Sequence, residues 1–314
     1  MLSITQLEYI VALDQFRHFG NAAKACHITQ PTLSMQLNKA EEFLGLILFD
    51  RSKNPMLPTI EGVAIIQQAR IVLREYKKIA ELKDMQKESV AGTLKLGVIP
   101  TLAPYLIPLF VGPFAKKYPH VKLIIEEYKT EDMLRLIHSD ELDVGLLVTP
   151  VHDEQMIERV LFNETFYVFA SKDDPLLKKV KIKNQDLRKD GIWLLNEGHC
   201  FRSQVFQVCG INGENEVYSN LRFQSGNLET LINIVSNNEG YTLLPHLAVM
   251  NLPSEDKKFV REFTSPIPSR EVSLVHNRIF LKEKMIAALE EEIIASLPKE
   301  ISSLKKSIST IPIM

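Results

Sequence analysis

The chain has 314 residues, of which 45% are hydrophobic and 24% charged, a composition ordinary for a folded protein with room for more than one domain. Its net charge of −2 does not by itself indicate a nucleic-acid partner, and its three cysteines are too few for a disulfide scaffold. The first residues lack the basic and apolar regions of a signal peptide, and prolines interrupt the long uncharged run at residues 96–115. We therefore expect a cytoplasmic protein with reduced thiols and no contact with a membrane.

The first ninety residues predict a series of helices. Thr5, followed by Glu8 three residues later, predicts a capping box at the start of the first helix. In the second, Cys26 shares an apolar face with two alanines, so it is predicted to be a core residue. The stretch "HIT" then breaks the pattern, and Thr29 predicts the N-cap of a new helix whose first turn tolerates Pro31.

A short helix, a tight turn and a second helix with small polar residues near its start are typical of a helix-turn-helix. The second helix can lie in the major groove of double-stranded DNA, where hydroxyl and amide groups meet bases and phosphates. A plain helical hairpin with a solvated outer face is the alternative. The candidate DNA contacts are Gln30, Pro31, Thr32, Ser34, Gln36 and Lys39 in this helix, and Arg51 and Lys53 at the tip of a short hairpin or wing.

One long helix is predicted from Ile60 to about Glu88. Ile65, Val72 and Ile79 recur every seven residues along it. Such a heptad pattern favours pairing with a second copy of the helix, as expected for a DNA reader that uses two half-sites. Packing against another domain of the same chain is the alternative.

Beyond residue 90, short apolar runs alternate with helical stretches, which predicts an α/β region with a mostly parallel sheet and two small lobes. Thr101 and Thr130 each follow a predicted strand and precede a helix, where sheets of this kind bind ligands. The fold predicted is an all-α winged helix-turn-helix domain (residues 1–59), a linker helix (60–89), an α/β regulatory domain of two lobes (92–300) and a flexible tail (301–314).

The stretch "GHCFRSQVFQVC" places Cys200 and Cys209 nine residues apart. Inert packing is the usual fate of buried cysteines, and a thiol switch is the alternative. A switch needs a thiolate, which the nearby Arg202 and the start of a helix would stabilise, with His199 as a hydrogen-bond donor. In a helix, nine residues advance about 13.5 Å and end on the opposite face. A disulfide needs Cα atoms within about 7 Å, so forming it would unwind the segment.

The N-terminal stretch "FGNAAKACHITQPTLSMQLNKAEEFLGLILFDR" resembles the DNA-binding domain of LysR-type transcriptional regulators. The long helix and two-lobed region resemble their linker helix and periplasmic-binding-protein-like regulatory domain, so the resemblance covers nearly the whole chain apart from its tail. Within that family, "GHCFRSQVFQVC", "GVIPTLAPYLIP", "LETL" and "GYTLLP" are similar to the OxyR peroxide sensors. The roles that this resemblance implies are Cys200 as peroxidatic thiol, Cys209 as resolving thiol, and Thr101, Thr130, His199 and Arg202 as the peroxide pocket.

The function implied is that of a peroxide-responsive activator of oxidative-stress genes. Its partners would be double-stranded DNA, a second copy in a homodimer or a dimer of dimers, and RNA polymerase as a further candidate. The rival hypothesis is a LysR-type regulator that answers a small metabolite between the lobes, with structural cysteines. The sequence contains no P-loop, GxGxxG, HExxH, GxSxG or CxxC pattern, so neither an enzyme nor a cofactor or metal site is expected.

Overall fold

The computed structural model describes residues 1–53, 55–84, 90–187, 191–196, 200–210, 226–277, 282–302 and 308–311. By its internal contacts the chain divides into two compact units, Met1–Glu88 and Ser89–Met314.

The first unit is helical, with a small two-stranded hairpin. Its elements are α1 (Ile4–Phe16), α2 (Phe19–Ala25), α3 (Gln30–Leu44), β1 (Phe49–Asp50), β2 (Leu57–Pro58) and α4 (Ile60–Asp84). The predicted cap of α1 is wrong. The hydroxyl of Ser3 accepts the Gln6 N–H, and the Gln6 side chain accepts the Ser3 N–H, so this capping box begins the helix before Thr5.

The helix-turn-helix pair was predicted well. Thr29 caps α3 through its hydroxyl and Pro31 lies in the first turn, as predicted. The helix ends at Gly45, whose φ of 66° is a left-handed conformation that favours glycine. The wing is also present, because β1 and β2 pair antiparallel. Cys26 is half-buried at the edge of this unit's core rather than at its centre.

Helix α4 presents two different faces. Ala69 and Leu73 are buried against Leu7 of α1, so one apolar face packs on its own unit. Val72 and Ile79, from the predicted heptad series, are 37% and 65% exposed. The covered face packs on the helix's own unit and not on another domain, and pairing of the exposed apolar residues with a second copy stays a prediction.

The second unit is an α/β structure whose sheet is mixed, not mostly parallel. Strand β3 (Gly92–Val98) pairs parallel with both β4 (Val121–Glu127) and β5 (Val144–Thr149). Strands β6 (Met156–Ala170) and β10 (Ile267–Asn277) are antiparallel to each other. The smaller strands are β7 (Lys181–Ile182), β8 (Tyr241–Pro245) and β9 (Val260–Phe263). The prediction failed because the long crossing strands β6 and β10 were only partly recognised.

Strand β6 runs through both parts of the sheet, the one that contains β3, β4, β5 and β10 and the one that contains β7, β8 and β9. The stretch from Met156 to Thr165 pairs with β10, which is also paired with β5, and the stretch from Phe166 to Ala170 pairs with β8 and β9. The helices that cover the sheet are α5 (Ala103–Lys117), α6 (Thr130–His138), α7 (Cys200–Cys209), α8 (Leu228–Asn237), α9 (His246–Asn251), α10 (Glu283–Ala295) and α11 (Lys299–Ser302). Across the residues described, no helix has the length and apolar character needed to cross a bilayer.

The region predicted as a flexible tail contains a short strand, β11 (Ile308–Thr310), which pairs parallel with the first residues of β10. The backbone N–H of Ile311 donates to the carbonyl of Ser269, and its carbonyl accepts from the buried Gln204 side chain of α7 at 2.8 Å. Tertiary hydrogen bonds thus order a segment whose composition alone predicts a loose end.

Candidate functional site

Cys200 is the first residue of α7, as predicted, and its thiol is buried. The backbone N–H groups of Cys200 and Phe201 face the sulfur and lower its pKa. This is the expected effect of a helix N-terminus on a thiol, because the unpaired N–H groups favour a negative charge.

The cation that acts on this thiol comes from β10. Arg270 is fully buried and lowers the pKa of Cys200 by its positive charge. Its guanidinium pairs with the equally buried Glu164 of β6, with N–O distances of 2.7 and 2.8 Å. It also donates to the hydroxyl of Thr101 at 2.9 Å and to the Thr101 carbonyl at 3.2 Å. Three hydrogen bonds and an ion pair therefore hold this cation in one orientation.

Burial outweighs these effects, so on balance the pKa of the Cys200 thiol is raised above its ordinary value. The sequence predicted a lowered pKa with Arg202 as the cation, and the structure differs on both points. Arg202 donates to the Leu195 carbonyl at 2.7 Å and lies over the ring of Phe206. On a helix, residues two positions apart point in different directions, so Arg202 is turned away from Cys200.

The two predicted threonines lie where neighbouring strands end. Thr101 follows β3 and is buried, and Thr130 is the first residue of α6, just after β4. The Thr130 hydroxyl lies beside the Cys200 sulfur and lowers its pKa, yet its oxygen makes no hydrogen bond of normal geometry. A buried hydroxyl in this condition is a ready partner for a small polar molecule, because it both donates and accepts.

Cys209 ends the same helix and is also buried as a free thiol. Burial raises its pKa to about 12, partly offset by the nearby Tyr241 hydroxyl. Cys200 and Cys209 bound a ten-residue helix, so the helical rise separates their Cα atoms by about 13.5 Å. Within this helix the two sulfurs cannot be joined.

Arg270 and Glu164 were not predicted from the sequence. Both lie in long strands, and no local motif marks a charged residue that will be buried in a sheet. A charged residue in a predicted apolar strand was the available signal, since such residues are rarely buried unless they are paired. His199 was also predicted for this site and lies outside the described residues. Among the described residues, no group of three His, Cys, Asp or Glu side chains could hold a metal ion.

Six of the predicted DNA contacts lie in α3, and they differ in exposure. Gln30, Pro31 and Lys39 are exposed, whereas Thr32 and Ser34 are half-buried. Gln36 is also half-buried, and its side-chain oxygen accepts a hydrogen bond from Gln6 of α1 at 3.2 Å.

At the wing, Lys53 is exposed. Arg51 instead bonds inward, to Asn38 at 2.6 Å and to the carboxylate of Glu41 at 2.5 Å. Arg51 therefore links the wing to α3, and its contact with a DNA phosphate stays a prediction.

Both units match known family models. Residues 4–63 match the helix-turn-helix of bacterial regulatory proteins of the LysR family, and residues 87–295 match the LysR substrate-binding domain. The chain therefore belongs to the LysR family of transcriptional regulators, whose members bind DNA through this helix-turn-helix and assemble into oligomers. The predicted combination of a winged helix-turn-helix with an α/β regulatory domain is confirmed.

Individual relatives show to which group of the LysR family the chain belongs. The chain is 36% identical over 275 residues to the "hydrogen peroxide-inducible genes activator" of Haemophilus influenzae, covering 88% of this chain and 90% of the relative. It is equally identical to the "DNA-binding transcriptional dual regulator OxyR" of Escherichia coli, covering 88% and 89%. A full-length OxyR variant from Pseudomonas aeruginosa superposes with a TM-score of 0.74 at 34% identity, covering 94% and 98% of the two chains. Within the LysR family, the chain belongs to the OxyR group.

Proposed function

We propose that this protein senses hydrogen peroxide through Cys200 and reports it by a disulfide with Cys209. The Cys200 thiolate attacks one peroxide oxygen, forming an S–O bond as the O–O bond breaks, and the departing hydroxide takes a proton to become water. The Cys209 thiolate then attacks the sulfenic sulfur, an S–S bond replaces the S–O bond, and a second water leaves. Two thiols and one peroxide thus give one disulfide and two waters.

The observation that carries this proposal is the surroundings of Cys200. Its sulfur lies at a helix N-terminus, under the field of a buried guanidinium, and beside a hydroxyl with no hydrogen-bond partner of normal geometry. A peroxide between Thr101 and Thr130 would have a donor or acceptor for each oxygen, and Arg270 would stabilise the negative charge that develops on the leaving oxygen. A peroxide-bound OxyR variant of Corynebacterium glutamicum shares this fold, with a TM-score of 0.61 at 25% identity, covering 94% and 92% of the two chains.

Signalling follows from the length of α7. A Cys200–Cys209 disulfide requires the helix to open, and the buried side chains of Phe201, Val205 and Val208 must leave their places. Phe201 packs edge-to-face on Phe166 of β6, so the change reaches the strand that joins both parts of the sheet. A shape change at a surface shared by two copies would alter the spacing of their DNA-binding domains.

The remaining roles extend this proposal. Residues 1–59 bind promoter DNA, residues 60–89 form the dimer, residues 92–300 sense peroxide, and residues 301–314 form the tail. The protein works in the cytoplasm as a homodimer or a dimer of dimers, and the oxidised form contacts RNA polymerase to activate oxidative-stress genes. Peroxide is consumed once for each switching event, so the role is sensory and not that of an enzyme.

Footprints on promoter DNA test the proposal. The protected region should change when the reduced protein is treated with peroxide and should return with a dithiol. Cys200→Ser should abolish the change, whereas Cys209→Ser should form a trappable sulfenic acid without a lasting change. A footprint that responds to a small metabolite and is indifferent to peroxide would support the rival hypothesis.

A further inference from the structure

The carboxylate of Glu164 is the nearest structural partner of the cation that acts on Cys200. Its side chain and that of Arg270 are both 0% exposed. One carboxylate oxygen accepts from the Arg270 guanidinium, and the other accepts the backbone N–H of Leu247 at 2.8 Å. Glu164 therefore connects Arg270 to the start of α9, and its oxygens are satisfied from two sides.

The charges in this pocket balance. Arg270 carries one positive charge and Glu164 one negative charge, with no water-exposed surface on either. Adding a Cys200 thiolate would leave the dry pocket with a net negative charge, which is costly in a low dielectric. The pair thus gives a reason, besides burial, for the thiol to remain protonated until it reacts.

The other titratable groups facing the pair, among the described residues, do not change that balance. Tyr105 of α5 donates its hydroxyl to the exposed Glu229 of α8, and burial raises its pKa, so it is neutral. His246, at the start of α9, is also neutral because burial lowers its pKa. Arg202, on α7 itself, is directed to the Leu195 carbonyl.

We propose that Glu164 is a positioning residue that sets the reactivity of Cys200 toward peroxide, by holding Arg270 against Thr101 while offsetting its charge. The inference rests on the proposed function, in which Cys200 is the thiol that peroxide oxidises. If the carboxylate were neutral, Arg270 would keep its charge and the Cys200 thiolate would become its counterion. Removing the carboxylate's charge should therefore make Cys200 more reactive, although it removes a native ion pair.

The experiment uses the full chain with Cys26→Ser and Cys209→Ser, which leaves Cys200 as its one thiol. The rate of alkylation by iodoacetamide is measured against pH, and sulfenic acid formation by peroxide is measured at pH 7. Glu164→Gln should move the alkylation profile to lower pH and raise the rate at pH 7 about tenfold, since an uncompensated neighbouring charge shifts a pKa by about one unit or more. Sulfenic acid formation should rise in the same direction.

A second variant separates charge from mere structure. Glu164→Asp keeps the charge but draws it back from Arg270, so its profile should lie between those of the unchanged protein and Glu164→Gln. The control is Asp143→Asn, which removes a buried acid that directly precedes β5 and pairs with Lys282. This variant should leave the alkylation profile of Cys200 unchanged. If Glu164→Gln fails to fold, Glu164→Asp tests the proposal by itself, since its alkylation profile should also move to lower pH.

An alkylation profile that stays in place or moves to higher pH in the folded Glu164 variants would overturn the proposal. Equal slowing of both variants would do the same, because a purely structural loss gives no order between them. If peroxide leaves Cys200 reduced in the unchanged protein, the proposed function fails. The alkylation profile is recorded without peroxide, so these two failures are distinguishable.

Discussion

A Cys200–Cys209 disulfide should be much easier to reduce than an ordinary structural disulfide, because α7 must open to form it. Phe201, Val205 and Val208 are at most 2% exposed in the closed helix. Burial of one such side chain contributes about 1.5–3 kcal/mol, so exposing all three costs about 5–9 kcal/mol as an upper limit. For a two-electron couple about 30 mV corresponds to 1.4 kcal/mol, so the potential should lie about 100–190 mV above the roughly −300 mV of an unstrained structural disulfide.

The assay is a redox titration of the full chain carrying Cys26→Ser, with the disulfide counted by mass spectrometry in thiol–disulfide buffers of known potential. Amide exchange across residues 201–208 is measured in the reduced and oxidised forms. Exchange should increase in the oxidised form only, and Cys209→Ser treated with peroxide should show no such increase. A midpoint at or below about −300 mV, or a disulfide formed with α7 still protected, would refute the reasoning.

Three further outcomes are expected. Thr101→Val should slow oxidation of Cys200 by peroxide more than alkylation by a neutral reagent, and Thr101→Ser, which keeps the hydroxyl, should restore it; equal slowing of both reactions would indicate only a changed thiol pKa. Lys53→Ala should reduce the salt dependence of DNA binding by about one counterion. Arg51→Ala should do the same and should also destabilise the first unit by about 0.5 kcal/mol. An unchanged melting temperature of Arg51→Ala would argue against a stabilising contact between the wing and α3. Truncation after residue 307 removes β11 and the hydrogen bond that Gln204 donates to Ile311, so the rate of amide exchange in α7 should rise about two- to tenfold. An unchanged exchange rate would mean that the tail does not stabilise this helix.

Local rules predicted the helix-turn-helix because each of its signals lies within a few residues. The hydroxyl of Thr29, the ring of Pro31 and an apolar stripe all act within two helical turns, so the sequence spacing decides the structure. The same is true of α7, whose start was predicted beside Cys200. The cap of α1 was missed because two overlapping capping patterns compete there, and the one at Ser3 satisfies both partners.

The chemistry around Cys200 was only half predictable, because strand pairing brings its main partners from far along the chain. Thr101 and Thr130 were found because a strand-to-helix junction is visible in the sequence. Arg270 and Glu164 meet only after β6 and β10 pair antiparallel, with the two residues facing each other in that register. Proximity in sequence favoured Arg202, and helical geometry turns that residue away.

The two steps of the proposed switch require opposite states of α7. The first step needs the helix closed, since the N–H groups at its start and the fixed Arg270 act on Cys200 only in that arrangement. The second step needs it open, because Cys209 lies on the far side of the helix and its buried thiol has a pKa of about 12. Opening brings Cys209 into water, where its pKa returns toward the ordinary value and its thiolate can attack. In the proposed switch, the closed α7 therefore keeps the two reduced thiols apart. When the helix opens, Cys209 can form the disulfide only with a Cys200 that peroxide has already oxidised.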